Sequence, residues 1–185
     1  MTAAERIPTD RSHLRRAVRP LCMNENTNST TTVVEHKARM PHPAFLLEGG
    51  IDALTGVNRI AQSSGLPEDL LQLVSLRASQ LNGCSWCVVD HTTQLLEGGA
   101  GPQRVAAVAA WRDAPYFTAR ERAALAFTEA LTRLADHHDP VSDELWAEML
   151  DCFDRREISG LLFEIGAINV WNRINAAIRQ PAGAR

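Results

Sequence analysis

Two cysteines and a histidine stand close together near the middle of the chain, in the run Asn82-Gly83-Cys84-Ser85-Trp86-Cys87-Val88-Val89-Asp90-His91. Cys87 follows Cys84 by three residues and His91 follows Cys87 by four, so a helix that begins here places the three side chains on one face. Two thiols one turn apart can close a disulfide, and an imidazole beside them can take or give a proton. The spacing therefore predicts the two-electron thiol chemistry of a redox enzyme.

Such chemistry requires a thiolate, which the unpaired N–H groups and the dipole at a helix N-terminus stabilise. Asn82-Gly83 predicts a helix break that leaves Cys84 near such an N-terminus. His91 can then bond to the sulfur of Cys87 or relay its proton. Two alternatives stay open at this point: Cys84 and Cys87 as small buried core residues, or Cys84, Cys87 and His91 as metal ligands that still lack a fourth.

The elements that position these residues read as helices throughout residues 41–185, because capping signals recur and no alternating strand pattern is present. Ile, Val and aromatic residues are scarce beside Ala, Leu, Arg and Glu, a helical composition. The expected fold is a single all-α domain of six to seven helices. The predicted helices cover about 44–63, 67–82, the cysteines to 96, 102–110, 118–135, a short segment capped by Ser142, and 154–178.

The first forty residues differ from the rest of the chain. A basic stretch covers 11–19, and a polar Asn/Ser/Thr tract covers 24–32 with almost nothing to bury. We expect residues 1–40 to form a disordered leader and residues 41–185 to form the helical domain. Translation that starts at Met23 or Met40 would remove part or nearly all of this leader.

Charge and cysteine usage exclude several classes of function. Residues 1–40 carry seven Lys or Arg against four acids, whereas 41–185 carry twelve against eighteen, so the acidic folded part is not expected to bind nucleic acid. No apolar run has the length of a membrane span, and no export signal is evident. Two of the four cysteines lie three residues apart, which does not suggest an extracellular disulfide framework. We therefore expect a cytoplasmic protein with no membrane partner.

Several segments, in order along residues 41–185, resemble the alkylhydroperoxidase D-like group of the carboxymuconolactone decarboxylase superfamily. They are Leu73-Val74-Ser75-Leu76-Arg77-Ala78-Ser79-Gln80-Leu81-Asn82-Gly83-Cys84 with Cys87 and His91, Trp111-Arg112-Asp113-Ala114-Pro115, Glu121-Arg122-Ala123-Ala124-Leu125, and Ile168-Asn169-Val170-Trp171-Asn172-Arg173. The resemblance implies an all-helical fold that assembles as homotrimers or hexamers.

The resemblance also implies a reaction cycle without a metal or cofactor. Cys87 would attack an organic hydroperoxide and become a sulfenic acid, Cys84 would resolve it to a disulfide, and His91 would belong to the proton relay. A dithiol or lipoyl-type reductant protein would then restore the thiols.

The chain departs from the family pattern at Gln72, twelve residues before Cys84, where the family has a glutamate that activates the thiol. A glutamine cannot accept a proton at neutral pH, although Gln72 could still orient water or His91. Glu68, one turn earlier, is the nearest acid on the same helix face. A second departure is Trp86 between the cysteines, which suggests a more apolar pocket or simple packing.

Four polar residues on the last helix could line a pocket, but a subunit interface is the favoured interpretation. They are Glu164, Asn169, Asn172 and Asn175.

Two alternatives to a peroxidase stay open. Decarboxylation of a lactone, the other chemistry of the superfamily, needs acid and base groups rather than paired thiols. A helical oligomer that senses redox state without turnover is the alternative outside enzymes.

Overall fold

The computed structural model describes residues 36–183, and within this range it contains eight α-helices and no strand. They are α1 (Pro43–Leu46), α2 (Gly50–Gln62), α3 (Glu68–Asn82), α4 (Ser85–Glu97), α5 (Pro102–Ala106), α6 (Ala119–Thr132), α7 (Asp143–Cys152) and α8 (Arg155–Ile178). Single 3-10 turns at Ala107–Ala110 and Leu134–Asp136 follow α5 and α6. The all-α prediction is confirmed. The predicted leader, apart from residues 36–40, lies outside the described residues and stays a prediction.

The predicted helix over 44–63 is in fact two helices, which is why eight form instead of six or seven. Gly49 has a φ of 73°, a left-handed conformation that an L side chain rarely adopts, and it caps the start of α2. The pair Gly49-Gly50 therefore outweighs the apolar periodicity that runs across it. The capping boxes at Thr118 with Glu121 and at Asp154 with Glu157 form as their spacing predicts.

Helix α3 lies at the centre of the fold and packs against α4, α6 and α8. Eight of its residues are buried, including Leu73, Val74 and Leu76, which have no exposed surface. A helix buried on most of its circumference needs partners on several sides. Consequently α3 forms the centre of the core, and its C-terminal end leads directly into the cysteines.

An ionic cluster anchors α6 to α3. The Glu129 carboxylate accepts hydrogen bonds from Trp111 Nε1 at 2.8 Å and Arg77 Nε at 2.8 Å, and an Arg112 nitrogen lies 2.6 Å from its second oxygen. Burial opposes ionisation of Glu129, but the bonds from Trp111, Arg112 and Arg77 outweigh it and hold its pKa below the usual value. The Trp111-Arg112 segment thus has a structural role.

The polar residues of α8 join helices of the same chain. Asn82 Nδ2 donates to Asn169 Oδ1 at 3.0 Å and to Asn172 Oδ1 at 2.8 Å, and Asn172 Nδ2 donates to Ser79 Oγ at 3.0 Å. These asparagines are buried within the chain, as are Asn175 and Glu164. The expectation that they form a subunit interface is therefore wrong.

None of the helices in residues 36–183 combines the length and apolar character needed to cross a bilayer.

Candidate active site

The turn between α3 and α4 places the first cysteine. Gly83 adopts a left-handed φ of 67° and ends α3, and its N–H reaches the carbonyls of Ser79 and Gln80. Cys84 follows as the N-cap of α4, and its sulfur accepts the N–H of Cys87 at 3.4 Å. The predicted helix break and the position of Cys84 at a helix N-terminus are therefore present.

Cys84 and Cys87 are joined by a disulfide, with their Cα atoms 5.4 Å apart. Both are buried, and they form a small cluster with Ala78 and Ile168. Cys87 lies in the first turn of α4, where unpaired N–H groups would favour its thiolate after reduction. Cys152 is a free thiol in α7, and burial, reinforced by nearby carboxylates, raises its pKa and keeps it protonated.

His91 belongs to a chain of hydrogen bonds that runs to Glu68. Gln72 Nε2 donates to Glu68 Oε1 at 2.7 Å, so the amide oxygen of Gln72 faces His91 Nδ1, also at 2.7 Å. Because that oxygen can only accept, Nδ1 carries the ring proton and Nε2 keeps its lone pair. Burial lowers the pKa of His91 to about 4, although Asp90 and Glu68 act to raise it. His91 is thus a neutral proton acceptor at pH 7.

A second polar chain reaches Cys87 from α8. Asn175 Nδ2 donates to the Cys87 sulfur at 3.3 Å. Ala44 N donates to His42 Nδ1 at 3.2 Å, so the other ring nitrogen of His42 donates to Asn175 Oδ1 at 3.1 Å. His42 therefore fixes the orientation of the Asn175 amide, and the amide presents a donor to the sulfur.

Glu164 is a buried carboxyl group whose hydrogen-bond donors, among the described residues, are neutral. Ser75 Oγ donates to Glu164 Oε1 at 2.7 Å, and Asn58 Nδ2 donates to Oε2 at 3.1 Å. The side chain of Asn58 is fixed in turn, because its oxygen accepts Trp171 Nε1 at 3.2 Å. Burial raises the pKa of Glu164, and the bonds from Ser75 and Asn58 only partly oppose this.

These groups meet in a cavity of about 230 Å³, here called the thiol cavity. It is lined by Asn58, Gln62, Gln72, Trp86, Cys87, His91, Gln94, Glu164, Ile168 and Trp171. A neighbouring cavity of about 280 Å³, here called the apolar cavity, shares Trp86 and Trp171 with it. The apolar cavity is completed by His42, Phe45, Ile51, Asn175 and Gln180. Cys84 borders neither of them and lines a third cavity with Gly83, Ser85 and Arg179.

Three of the four catalytic residues predicted from the sequence line the thiol cavity: Cys87, His91 and Gln72. Cys84 does not line this cavity but is bonded to Cys87. Gln72 does orient His91, one of the two roles considered for it. Sequence reasoning missed His42 and Asn58. For Glu164 and Asn175 it considered a pocket lining, which Glu164 forms in the thiol cavity and Asn175 in the apolar cavity, but it did not connect them with the thiols. Among the described residues no cluster of three or more His, Cys, Asp or Glu side chains is arranged to hold a metal ion.

The chain is similar to known proteins over most of its length. Residues 52–130 match the Carboxymuconolactone decarboxylase family. The uncharacterized protein YdfG of Bacillus subtilis (strain 168) is 28% identical over 136 residues, which cover 74% of this chain and 91% of YdfG.

Solved structures share the fold. One of them is ATU0492 of Agrobacterium tumefaciens, a protein of unknown function whose name relates it to the antioxidant defence protein AhpD. It superposes with a TM-score of 0.74 and 32% identity, over 80% of this chain and all of ATU0492. The debrominase Bmp8 superposes with a TM-score of 0.68 over 76% of this chain and 75% of its own, at 19% identity, which is a likeness of fold alone. The matched sequence, the all-helical fold and the Cys-x-x-Cys helix together show that this chain belongs to the carboxymuconolactone decarboxylase superfamily, in its alkylhydroperoxidase D-like group.

Proposed function

We propose that the chain is a thiol-dependent peroxidase that reduces organic hydroperoxides with Cys87 and Cys84. The observation that carries the proposal is the disulfide between these residues at the N-terminus of α4, with Cys87 on the same cavity as His91. A reversible pair needs one sulfur that substrate can reach and a second within bonding distance. Neutral His91 supplies a base, and Asn175 supplies a hydrogen bond to the reacting sulfur.

The proposed cycle balances as a two-electron reduction. The Cys87 thiol gives its proton to His91 Nε2 or through it to water, and the thiolate attacks the terminal peroxide oxygen. An S–O bond forms, the O–O bond breaks, and the product leaves as an alkoxide that takes up a proton. Cys84 then attacks the sulfenic acid of Cys87, an S–S bond forms, and water leaves. One hydroperoxide and two thiols become one alcohol, one water and one disulfide.

The cavities support an uncharged organic substrate. The described residues that line the thiol cavity include no Lys or Arg, and Glu164 lies among them, so an anionic substrate would find no counter-charge. The adjoining apolar cavity has room for an organic group. Trp86 and Trp171 line both cavities and would contact that group. An alkyl or aryl hydroperoxide therefore matches the site better than hydrogen peroxide does.

Reduction of the disulfide is proposed to begin at Cys84. Cys84 lines a cavity from which Cys87 is absent, so a dithiol donor, such as a lipoyl-type protein, could attack Cys84 without entering the thiol cavity. Cys87 would be the better leaving thiolate, because the helix N-terminus and Asn175 both stabilise its charge.

Assembly as a homo-oligomer, with trimers or hexamers as the expected sizes, forms part of the proposal. In the single chain α1 and the residue after it expose large apolar side chains: Phe45, Leu46 and Leu47 are 72%, 55% and 71% exposed. Apolar side chains grouped in this way are typical of an interaction surface. Light scattering of the purified full chain tests this directly.

A lactone decarboxylase is the second candidate, favoured by the presence of both a base, His91, and a buried carboxyl, Glu164, in one cavity. Its substrate is an organic acid, however, and the described lining offers no cation to bind it. If a Cys84→Ser/Cys87→Ser variant kept full activity on such an acid, the thiol proposal would be wrong. A redox sensor without turnover is the third candidate, and it predicts slow stoichiometric oxidation.

A steady-state assay separates these candidates. Purified protein in a Cys22→Ser/Cys152→Ser background is supplied with dihydrolipoamide and cumene hydroperoxide, and the alcohol product is quantified. Many equivalents of alcohol per chain, lost in Cys87→Ser, support the peroxidase. A single equivalent supports a sensor, and none contradicts both.

A further inference from the structure

The proposed reaction needs a proton at the departing oxygen, and neither Gln72 nor His91, the two relay residues predicted from the sequence, provides one. Gln72 is an amide, and its nitrogen is engaged with Glu68. His91 is neutral at pH 7, because burial lowers its pKa to about 4, so it takes the thiol proton without retaining it. An alkoxide is strongly basic, and its release is slow unless an acid protonates it in the transition state.

Glu164 lines the same cavity as Cys87 and His91. It projects from α8 into the thiol cavity that Cys87 and His91 enter from α4, and only 6% of its surface is exposed. Its described partners, Ser75 and Asn58, are neutral, and no described Lys or Arg forms an ion pair with it. A buried carboxyl group without a counter-charge favours its neutral, protonated form.

We propose that Glu164 is the proton donor to the leaving oxygen of the hydroperoxide and thereby supplies the acid that Gln72 cannot. This inference rests on the proposed peroxidase function. The Cys87 sulfur would attack the terminal oxygen of the O–O bond, and the Glu164 carboxyl would donate its proton to the oxygen that bears the organic group. Glu164 would touch the reacting atoms and so would be a catalytic residue.

The proton balance closes over one cycle. The proton released from the Cys87 thiol passes through His91 to water, and the proton of Glu164 ends on the alcohol. The Glu164 carboxylate then regains a proton from water, because burial without a cation disfavours its charge. The disulfide-forming step uses the proton of Cys84 to release water, so the cycle has no net gain or loss of protons.

The surroundings of Glu164 support this role. Burial raises its pKa, in the direction that retains a proton near neutral pH. Among the described residues that line the cavity, the other titratable groups are Cys87 and His91 of α4. Glu68 of α3, which does not line the cavity, also raises the pKa of Glu164 through its charge. The α2 residues on the cavity, Asn58 and Gln62, are uncharged amides.

The test varies the basicity of the leaving oxygen. Cumene hydroperoxide releases a strongly basic alkoxide that needs an acid, whereas peracetic acid releases a carboxylate that does not. Rates of Cys87 oxidation are measured by stopped flow on reduced Cys22→Ser/Cys152→Ser protein and on its Glu164→Gln derivative. We expect Glu164→Gln to slow cumene hydroperoxide about 100-fold or more and to change the peracetic acid rate by less than about threefold.

The variant is designed to keep the fold. A glutamine oxygen can accept from Asn58, and the rotatable hydroxyl of Ser75 can turn to accept from the glutamine nitrogen. Glu148→Gln, which removes an exposed carboxylate on α7, is the matched control and should leave both rates unchanged. A second measurement needs no variant: in D2O the wild-type rate should fall by about twofold or more with cumene hydroperoxide and much less with peracetic acid.

The outcomes are distinct. Equal slowing of both oxidants, or no slowing of either, would overturn the role of Glu164 while leaving the peroxidase proposal intact. Equal solvent isotope effects for the two oxidants would also overturn it, even if Glu164→Gln failed to fold. If cumene hydroperoxide failed to oxidise the unmodified pair, the proposed function itself would be wrong.

Discussion

Gln72 Oε1 lies 2.7 Å from His91 Nδ1, so an amide occupies the position from which a carboxylate would otherwise polarise the imidazole. The amide fixes the tautomer of His91 but adds no negative charge. As a result, the described hydrogen-bond partner of His91 does not offset the effect of burial, and the pKa of His91 falls to about 4. The site therefore has a base whose orientation is fixed by Gln72 but which binds a proton weakly.

Exchanging the acid and the amide should strengthen this base. In a Glu68→Gln/Gln72→Glu variant the net charge is unchanged, and the amide introduced in place of Glu68 can donate to the new carboxylate beside His91. The pKa of His91 should rise toward its usual range, and the rate of Cys87 oxidation at pH 7 should increase about tenfold. The pH dependence of that rate provides the measurement. Glu68→Gln alone is the control. If the acidic limb of the pH–rate profile were the same in the double variant as in the wild type, the account would be contradicted.

The hydrogen bond from Asn175 should lower the pKa of the Cys87 thiol. Asn175→Ala removes the donor 3.3 Å from the sulfur, so the pKa should rise by about one pH unit. The pH dependence of alkylation by iodoacetamide in reduced Cys22→Ser/Cys84→Ser/Cys152→Ser protein measures it. Gln103→Ala replaces an exposed amide on α5 and serves as the control. An unchanged thiol pKa in Asn175→Ala would show that the contact does not stabilise the thiolate.

Stability should depend on pH through two buried groups with opposite signs. His91 has a lowered pKa, so between pH 6.5 and 4 the unfolded chain binds a proton that the folded chain does not, and stability is lost as pH falls. Its contribution amounts to about 2 kcal/mol between pH 7 and 5. Glu164 has a raised pKa, so its contribution is present below its unfolded value and is lost as pH rises.

Two variants separate these contributions. His91→Asn should flatten the rise in the free energy of unfolding between pH 5 and 7, whereas Glu164→Gln should steepen it. Urea denaturation at several pH values measures both slopes. Parallel profiles for the wild type and both variants would show that neither group is perturbed in the fold.

The cluster around Glu129 should contribute to stability only while its carboxylate is charged. Glu129→Gln leaves Arg77 without its charge partner and should lower the free energy of unfolding by about 2 kcal/mol at pH 7. The pKa of Glu129 is lowered, so the difference should shrink as pH falls below the usual glutamate range. Glu97→Gln on exposed α4 surface is the control. A loss that stays constant down to low pH would indicate packing rather than charge.

Much of the fold could be predicted because its signals are local. Thr118 with Glu121 and Asp154 with Glu157 mark helix starts within four residues, and Gly83 ends α3 through its own left-handed backbone. The break at Gly49 was missed because two local signals, glycine and apolar periodicity, compete there. Nothing in the pattern alone states which one prevails.

The candidate site divides in the same way. Cys84, Cys87 and His91 lie on adjacent turns, so their spacing was informative. Asn175 reaches Cys87 from 88 residues away, and its contact depends on how α8 crosses α4. The place of Glu164 in the cavity likewise depends on packing between helices, for which a sequence period carries no signal.

The central claim is that Cys87 attacks the peroxide and Cys84 resolves the product. Reduced Cys22→Ser/Cys84→Ser/Cys152→Ser and Cys22→Ser/Cys87→Ser/Cys152→Ser proteins are each treated with one equivalent of cumene hydroperoxide. Sulfenic acid is trapped with dimedone and located by mass spectrometry, and the alcohol is quantified. The account predicts a dimedone adduct on Cys87 with an equal amount of alcohol, and an unmodified Cys84 in the other protein. An adduct on Cys84, or alcohol formation without Cys87, would contradict it.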